Sequence, residues 1–218
     1  MLIISPHLDD AVLACGRLLA ARPGSTVATL FAGVPRNAQQ LTGWDARCGF
    51  RSAEAAIAAR RREDTAALWK LHATPVWLDF CDAQYEEPPA PAALADAVRR
   101  LIAELHPDLL VYPLGLYHSD HLLAHDACRA ALRALPDTAA AAYEDVLYRG
   151  MKGVLHQRLV ALAAMGIVAT PARLDNEDGS PLLKEEALQA YASQWRAFGD
   201  DGLADSKQPE RCWTLQDG

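Results

Sequence analysis

His7, Asp9 and Asp10 stand close together near the start of the chain, in the run His-Leu-Asp-Asp. An imidazole nitrogen and a carboxylate oxygen three residues apart are suitable ligands for a divalent metal, and the second carboxylate is left as a proton acceptor. Zinc in hydrolytic sites takes three protein ligands of this kind and keeps one position open for water. We therefore expect a third ligand from another part of the chain.

A second group of potential ligands occurs more than a hundred residues later. His118, His121 and His125 have helical spacings of three and four, which place their imidazoles on one face of a helix. Leu122 replaces the glutamate of a protease-type zinc helix, so His125 is expected in the core or behind the ligands. Asp120 is predicted to orient an imidazole and to raise the pKa of His118.

Short apolar runs precede both groups and predict buried parallel strands. Residues 1–4 and 109–112 form these runs, and Pro6 and Pro113 interrupt them, because proline cannot continue a central strand. A helical pattern follows each run. Open α/β sheets bind ligands at the carboxyl ends of their strands. The two groups are therefore expected to meet at one edge of a sheet if the two strands are neighbours.

The pattern as a whole predicts a single domain over residues 1–218. Strands alternate with helices, which favours an α/β fold, a Rossmann-like, mostly parallel sheet with helices on both faces. Residues 35–49 predict a long loop in which Trp44 either lines a pocket or packs on the surface. Residues 155–174 are predicted as a strand or two, and residues 181–198 as the last helix before a polar tail.

Composition argues against several classes of function. The formal net charge of −7 disfavours nucleic-acid binding, and no run approaches the ~18 apolar residues of a membrane span. Only Gly16 follows the first strand, so the glycine-rich turn of a nucleotide binder is missing. Five scattered cysteines and the lack of a secretion-signal pattern favour reduced thiols in the cytoplasm. A homo-oligomer is left open.

Taken together, the two histidine groups resemble the motifs of the PIG-L/LmbE family of zinc-dependent N-deacetylases. That family carries His-Pro-Asp-Asp-Glu and His-Pro-Asp-His, where this chain has His7-Leu8-Asp9-Asp10 and His118-Ser119-Asp120-His121. The weaker matches are Arg60-Arg61-Arg62-Glu63, Tyr143-Glu144-Asp145 and Tyr191-Ala192-Ser193-Gln194. The resemblance implies an enzyme that removes the acetyl group from an N-acetylglucosamine-type amino sugar or its conjugate.

The resemblance also implies a role for each motif residue. Asp9 would be the general base, and a protonated His118 would stabilise the oxyanion, with Asp120 as its neighbour. Arg60 is singled out as a substrate contact. The ligands of Zn²⁺, or of another divalent metal, would be His7, Asp10 and His121.

Three positions depart from the family pattern. Leu8 and Ser119 replace prolines, and Ala11 replaces a glutamate that is suited to orienting neighbouring groups. Two alternatives therefore stay open beside the sugar deacetylase. One is a zinc amidohydrolase that acts on a different amide. The other is a catalytically weakened, metal-binding family member, which Ala11 favours.

Overall fold

The structure is a computed structural model, which describes residues 1–174 and 179–218, with the side chains of residues 199–203 left out. Within these ranges the strands are β1 (Leu2–Ser5), β2 (Thr26–Thr29), β3 (Thr74–Trp77), β4 (Leu110–Pro113), β5 (Ala140–Tyr143), β6 (Ile167–Ala172) and β7 (Cys212–Asp217). The helices are α1 (Asp10–Ala21), α2 (Gly43–Arg47), α3 (Ala53–Lys70), α4 (Pro91–Leu105), α5 (Ser119–Ala134), α6 (Val154–Ala164), α7 (Pro181–Leu188) and α8 (Ala192–Ser206).

The strands form one sheet in the order β3-β2-β1-β4-β5-β7-β6. β1 to β5 are parallel, and β7 runs antiparallel to both of its neighbours. The Rossmann-like, mostly parallel sheet predicted from the sequence is confirmed. The strand order reverses at β1, which pairs with β2 on one side and β4 on the other. Such a reversal opens a crevice at the carboxyl ends of the two strands.

Helices cover both faces of the sheet. Leu2 and Ile4 of β1 point to one face and Ile3 to the other, because side chains alternate along a strand. The first face packs against α4, α5 and α6, and the second against α1, α3 and α7. All three β1 side chains are fully buried, as their unbroken apolar run predicts.

α1 consists of two helical pieces joined at Cys15, whose φ of −132° is not helical. The break frees the backbone N–H groups of the second piece. The Glu210 carboxylate accepts hydrogen bonds from Arg17 N at 2.7 Å and Leu18 N at 3.1 Å. Lys184 Nζ donates to the same carboxylate at 2.8 Å, and both side chains are almost fully buried. A buried ion pair therefore caps the second piece of α1.

The second half of the chain differs from the prediction. Residues 155–174 form most of α6 followed by β6, and residues 181–198 are divided between α7 and α8. The tail contains β7, which lies inside the sheet. The tail was predicted only as polar, because the strand partners of β7 are distant in sequence. In residues 1–174 and 179–218, no helix is both long and apolar enough to span a membrane.

Candidate metal centre and active site

The two histidine groups meet where the sheet order reverses. β1 and β4 are paired through Leu2 with Leu110 and Ile3 with Val111. The loop after β1 leads into α1 and carries His7. The loop after β4 leads into α5, which carries His121 on its first turn. The expected meeting of the two groups at one sheet edge is therefore what the structure shows.

His7, Asp10 and His121 present one donor atom each, and these atoms lie within 4.8 Å of one another. Asp10 Oδ2 lies 3.2 Å from His7 Nδ1 and 3.3 Å from His121 Nε2. His121 Nε2 is buried, and although Asp10 Oδ2 is within ion-pair distance, no described residue makes a hydrogen bond to this nitrogen. A buried polar atom without a partner is costly, and a cation would satisfy it. Two imidazoles and a carboxylate therefore fit a divalent metal.

A carboxylate lies behind each of the two imidazoles. His121 Nδ1–H donates to Asp145 Oδ1 at 2.6 Å, and His7 Nε2–H donates to Asp120 Oδ2 at 3.0 Å. Such partners fix the tautomer of a ligand histidine and make its other nitrogen more basic. His7, His118 and Asp120 form a second, overlapping group with metal-binding potential.

Asp145 also holds the loop between β4 and α5. Its Oδ2 atom accepts the backbone N–H groups of Gly115 and Leu116, both at 2.9 Å. Gly115 has a φ of +81°, and an added Cβ would lie 3.0 Å from the His125 Cβ. Glycine satisfies both the backbone conformation and the close approach. One carboxylate thus positions both the loop and His121.

The charges of the donor set reinforce one another. Burial disfavours protonation of His121, but Asp10 and Asp145 outweigh it and raise its pKa to about 9. Burial likewise opposes protonation of His7, and Asp82 and the other nearby carboxylates raise its pKa well above the usual value. Burial opposes ionisation of Asp10, yet His121 and His7 hold its pKa well below the usual range. Protons and a metal compete for these sites, so metal binding releases protons.

Asp9 stands beside the donor set without belonging to it. It occupies the N-cap of α1 but makes no side-chain cap, because Ser5 Oγ accepts the Ala11 N–H at 3.0 Å. Its Oδ2 atom instead accepts a hydrogen bond from Gln194 Nε2 at 2.8 Å. Burial and then the charge of Asp10 raise the pKa of Asp9 to about 7. A buried carboxylate of this kind suits general-base catalysis near neutral pH.

The protonation of His118 differs from the sequence-based expectation, although the charge of Asp120 acts to raise the pKa of His118 as predicted. Burial, followed by the charges of His7 and His121, lowers the pKa of His118. His118 Nδ1 accepts the backbone N–H of Asp120 at 3.2 Å and caps α5, so the neutral ring carries its proton on Nε2. The expected imidazolium is therefore not favoured. The Asp120 carboxylate orients the ring of His7, not that of His118.

Arg60 borders the site cavity, but its guanidinium is already engaged. Nη2 donates to Asp45 Oδ1 at 2.7 Å and Nη1 donates to Tyr85 Oη at 3.3 Å. Glu63, three residues further along α3, does not pair with it and instead accepts hydrogen bonds from the Ser193 N–H and hydroxyl. The role of Arg60 as a substrate contact stays a prediction.

The site opens into a cavity of about 260 Å³, the site cavity, which reaches His7, Asp9, Asp10 and His118. Its walls combine aromatic rings with polar side chains. The aromatic rings are Phe31, Trp44, Tyr148 and Phe198, and the polar side chains include Asp82, Gln84 and Gln194. Trp44 therefore lines the cavity, which is one of the two positions that the sequence allowed for it.

Sequence reasoning did not assign Asp145 and Gln194 to the site. Both stood only in weak motif matches, and both lie far along the chain from the residues they contact. The available signal for Asp145 was its position just after β5, at the same sheet edge as the ligands. Tyr148, whose ring packs edge-on against His121 with centroids 5.1 Å apart, carried no signal.

A donor set that fits a divalent metal, beside a further carboxylate at the carboxyl edge of a parallel sheet, is typical of metal-dependent hydrolases. Residues 2–132 match the profile of the PIG-L family, described as GlcNAc-PI de-N-acetylase. The chain belongs to this family and is a hydrolase of the deacetylase type.

Known relatives agree with the family. The chain is 30% identical over 209 residues to the 2'-N-acetylparomamine deacetylase of Streptomyces fradiae, which covers 88% of this chain and 72% of that protein. Its fold is similar to the zinc-inhibited form of teicoplanin deacetylase Orf2, with a TM-score of 0.78, 23% identity and coverage of 100% and 98% of the two chains. It is also similar to the A40926 pseudoaglycone deacetylase Dbv21, with a TM-score of 0.70 and 27% identity over 99% of this chain and 96% of that chain.

Proposed function

We propose that this protein is a zinc-dependent deacetylase that removes the acetyl group from an N-acetylated amino sugar or its conjugate. One observation carries the proposal. The donors of His7, Asp10 and His121 converge within 4.8 Å beside the carboxylate of Asp9, which lines the same cavity. Hydrolysis of an amide needs an electrophile for the carbonyl and a base for the water, and this arrangement offers both.

His7, Asp10 and His121 would hold the metal, and two imidazoles with one carboxylate suit Zn²⁺. When bound, such an ion lowers the pKa of water toward about 7 and polarises a carbonyl group. The carboxylates of Asp120 and Asp145 keep the two imidazoles oriented for this role. Zinc, as opposed to another divalent metal, is part of the proposal.

Asp9 and His118 supply the remaining chemistry. Asp9 takes a proton from the water as its oxygen attacks the acetyl carbon. The neutral His118 donates its Nε2–H to the carbonyl oxygen as negative charge develops there. The C–N bond then breaks, and the proton held by Asp9 is available to the leaving amine, with acetate as the second product.

The site cavity supports an amino sugar as substrate. A sugar ring presents an apolar face and a rim of hydroxyl groups. Trp44 and Phe198, with ring centroids 5.5 Å apart, offer an aromatic wall, and Asp82 and Gln84 offer hydrogen-bonding groups. The Streptomyces fradiae relative is a deacetylase of an N-acetylated amino sugar by name. An aromatic wall beside polar groups fits that class of substrate.

Metal removal and two substitutions test the proposal. Purified protein treated with a chelator is expected to lose deacetylation of a panel of N-acetyl amino sugars and to regain it with Zn²⁺. Asp9→Ala should retain bound zinc but lose roughly 10²–10⁴-fold in kcat. His121→Ala should lose the metal itself.

The outcomes separate the alternatives. If the enzyme hydrolyses only amides that are not amino sugars, the proposed substrate class is wrong and the enzyme is an amidohydrolase for another amide. Stoichiometric zinc without turnover of any amide would instead indicate a metal-binding family member, consistent with Ala11. Zinc bound equally well by His121→Ala would contradict the proposed donor set.

A further inference from the structure

A chain of buried hydrogen bonds leads from Arg60 to Asp9. Arg60 Nη2 donates to Cys48 Sγ at 3.6 Å, and the Cys48 thiol donates to Gln194 Oε1 at 3.5 Å. Gln194 Nε2 then donates to Asp9 Oδ2 at 2.8 Å. All four side chains are buried. We call Arg60, Cys48, Gln194 and Asp9 the Arg60–Asp9 relay.

The direction of the relay is fixed at both ends. The Arg60 guanidinium can only donate hydrogen bonds, and an ionised Asp9 can only accept them. A thiol can do both, so Cys48 presents its sulfur lone pair to Arg60 and its proton to Gln194. The Gln194 carbonyl must then face Cys48, and its NH₂ group must face Asp9. A reversed amide would place a carbonyl oxygen against the carboxylate.

Other contacts hold both ends of the relay in place. The ion pair of Arg60 with Asp45, at 2.7 Å, fixes the guanidinium. Gln194 lies on the first turn of α8, where the preceding Ser193 donates its N–H to Glu63 of α3 at 2.9 Å. Arg60 and Glu63 both belong to α3, so the same helix anchors both ends of the relay.

We propose that Gln194 is a positioning residue for Asp9, and that the Cys48 thiol, by donating to Gln194 Oε1, holds the amide in the orientation that the carboxylate requires. This inference rests on the proposed function, in which Asp9 accepts the proton of the attacking water. Because Gln194 engages Oδ2, we assign proton transfer to Oδ1. Arg60 then acts through this relay as well as bordering the cavity.

Kinetics of four variants test the relay. Gln194→Met keeps the side-chain volume and loses the amide, so kcat should fall by about tenfold or more with unchanged KM and metal content. Cys48→Ala removes the donor that orients the amide, and kcat should fall several-fold. Cys48→Ser should restore the wild-type kcat, because a hydroxyl also donates and accepts. Cys128→Ala removes a buried thiol of α5 that packs in the hydrophobic core outside the relay, and it should leave kcat unchanged.

A spectroscopic measurement tests the relay without turnover. The S–H stretching band of Cys48, assigned by difference against Cys48→Ser, should move to higher frequency in Gln194→Met because the thiol loses its acceptor. A band that does not move, or a Cys48→Ser enzyme as slow as Cys48→Ala, would overturn the inference. A wild-type enzyme with no deacetylase activity would refute the proposed function instead, and the infrared result would still decide the orientation of the thiol.

Discussion

Asp145 has two tasks at the site that both depend on its being a carboxylate. One oxygen accepts a hydrogen bond from His121, and the other accepts two backbone N–H groups of the loop between β4 and α5. An amide has one acceptor oxygen and one donor group, so it satisfies only one of these tasks. The geometry of the donor set therefore depends on a residue that does not belong to it.

Asp145→Asn is expected to weaken metal binding by about 10- to 100-fold, because His121 loses its orienting partner or the loop loses its acceptor. The measurement is a competition titration against a chelator of known affinity. The matched control is Glu144→Gln, since Glu144 is also buried but pairs with Trp213 and Arg211. Equal metal affinity in the two variants would contradict this role of Asp145.

Individual site residues were predictable to the extent that their neighbours in sequence were informative. His7, Asp10 and His121 stand in compact motifs, and the structure brings their donor atoms together. The partners behind them were not predictable, because a carboxylate can bond either of two imidazoles at similar spacing. Asp120 was expected to orient an imidazole, and the ring that it orients is that of His7 from the other loop.

At the level of secondary structure, the two-piece helix α1 shows how a site element is fixed from a distance. Its first piece begins at the donor set, and its second piece is capped by Glu210 from the segment before β7. The buried Lys184 depends on the same carboxylate. Removing one partner of a buried ion pair leaves an uncompensated charge, which is far more costly than loss of an exposed pair.

Glu210→Ala is therefore expected to lower the free energy of unfolding by about 3–5 kcal/mol, as measured by urea denaturation. The control is Glu185→Ala, whose partner Lys207 lies 3.9 Å away with both side chains about half exposed. That change should cost about 1 kcal/mol or less. Similar losses in both variants would show that Glu210 acts as a surface charge only.

Elements with local signals were predicted well. β1 and β4 follow from apolar runs that need no tertiary context. α6 was missed because its Val and Leu residues favoured a strand, although Leu155 and Leu162 lie at a helical spacing and pack into the core. β7 was missed because its strand character depends on pairing with β5 and β6.

For the molecule as a whole, two buried groups link stability to pH with opposite signs. Burial and then Arg158 lower the pKa of His125 to about 3, so its contribution to stability is complete above pH 6.5 and is lost as the pH falls toward 3. Burial raises the pKa of Asp64 from 3.8 to about 6, although Trp77 and Tyr191 donate hydrogen bonds to it. The contribution of Asp64 is therefore complete below 3.8 and is lost as the pH rises through 6.

Between about pH 6 and pH 4, a fall in pH reduces the stability contribution of His125 and increases that of Asp64. His125→Asn keeps a donor for the Pro113 carbonyl but removes the titration, so the stability of the variant relative to wild type should rise by about 1.4 kcal/mol per pH unit as the pH falls. For Asp64→Asn, the stability relative to wild type should fall by a similar amount per pH unit as the pH falls. Urea denaturation in a chelating buffer measures both without a contribution from metal loss. Slopes of the same sign would contradict the assignment.

The position of β7 inside the sheet has a consequence for the order in which the molecule is assembled during synthesis. β1 to β5 pair among themselves, whereas the pairing of β6 is with β7, whose residues are translated after all the others in the sheet. The ribosome can thus deliver the donors of His7, Asp10 and His121, with Asp145 behind them, to a sheet that is already paired. Gln194 reaches Asp9 only later, so the proposed metal donors can come together before the proposed base is oriented.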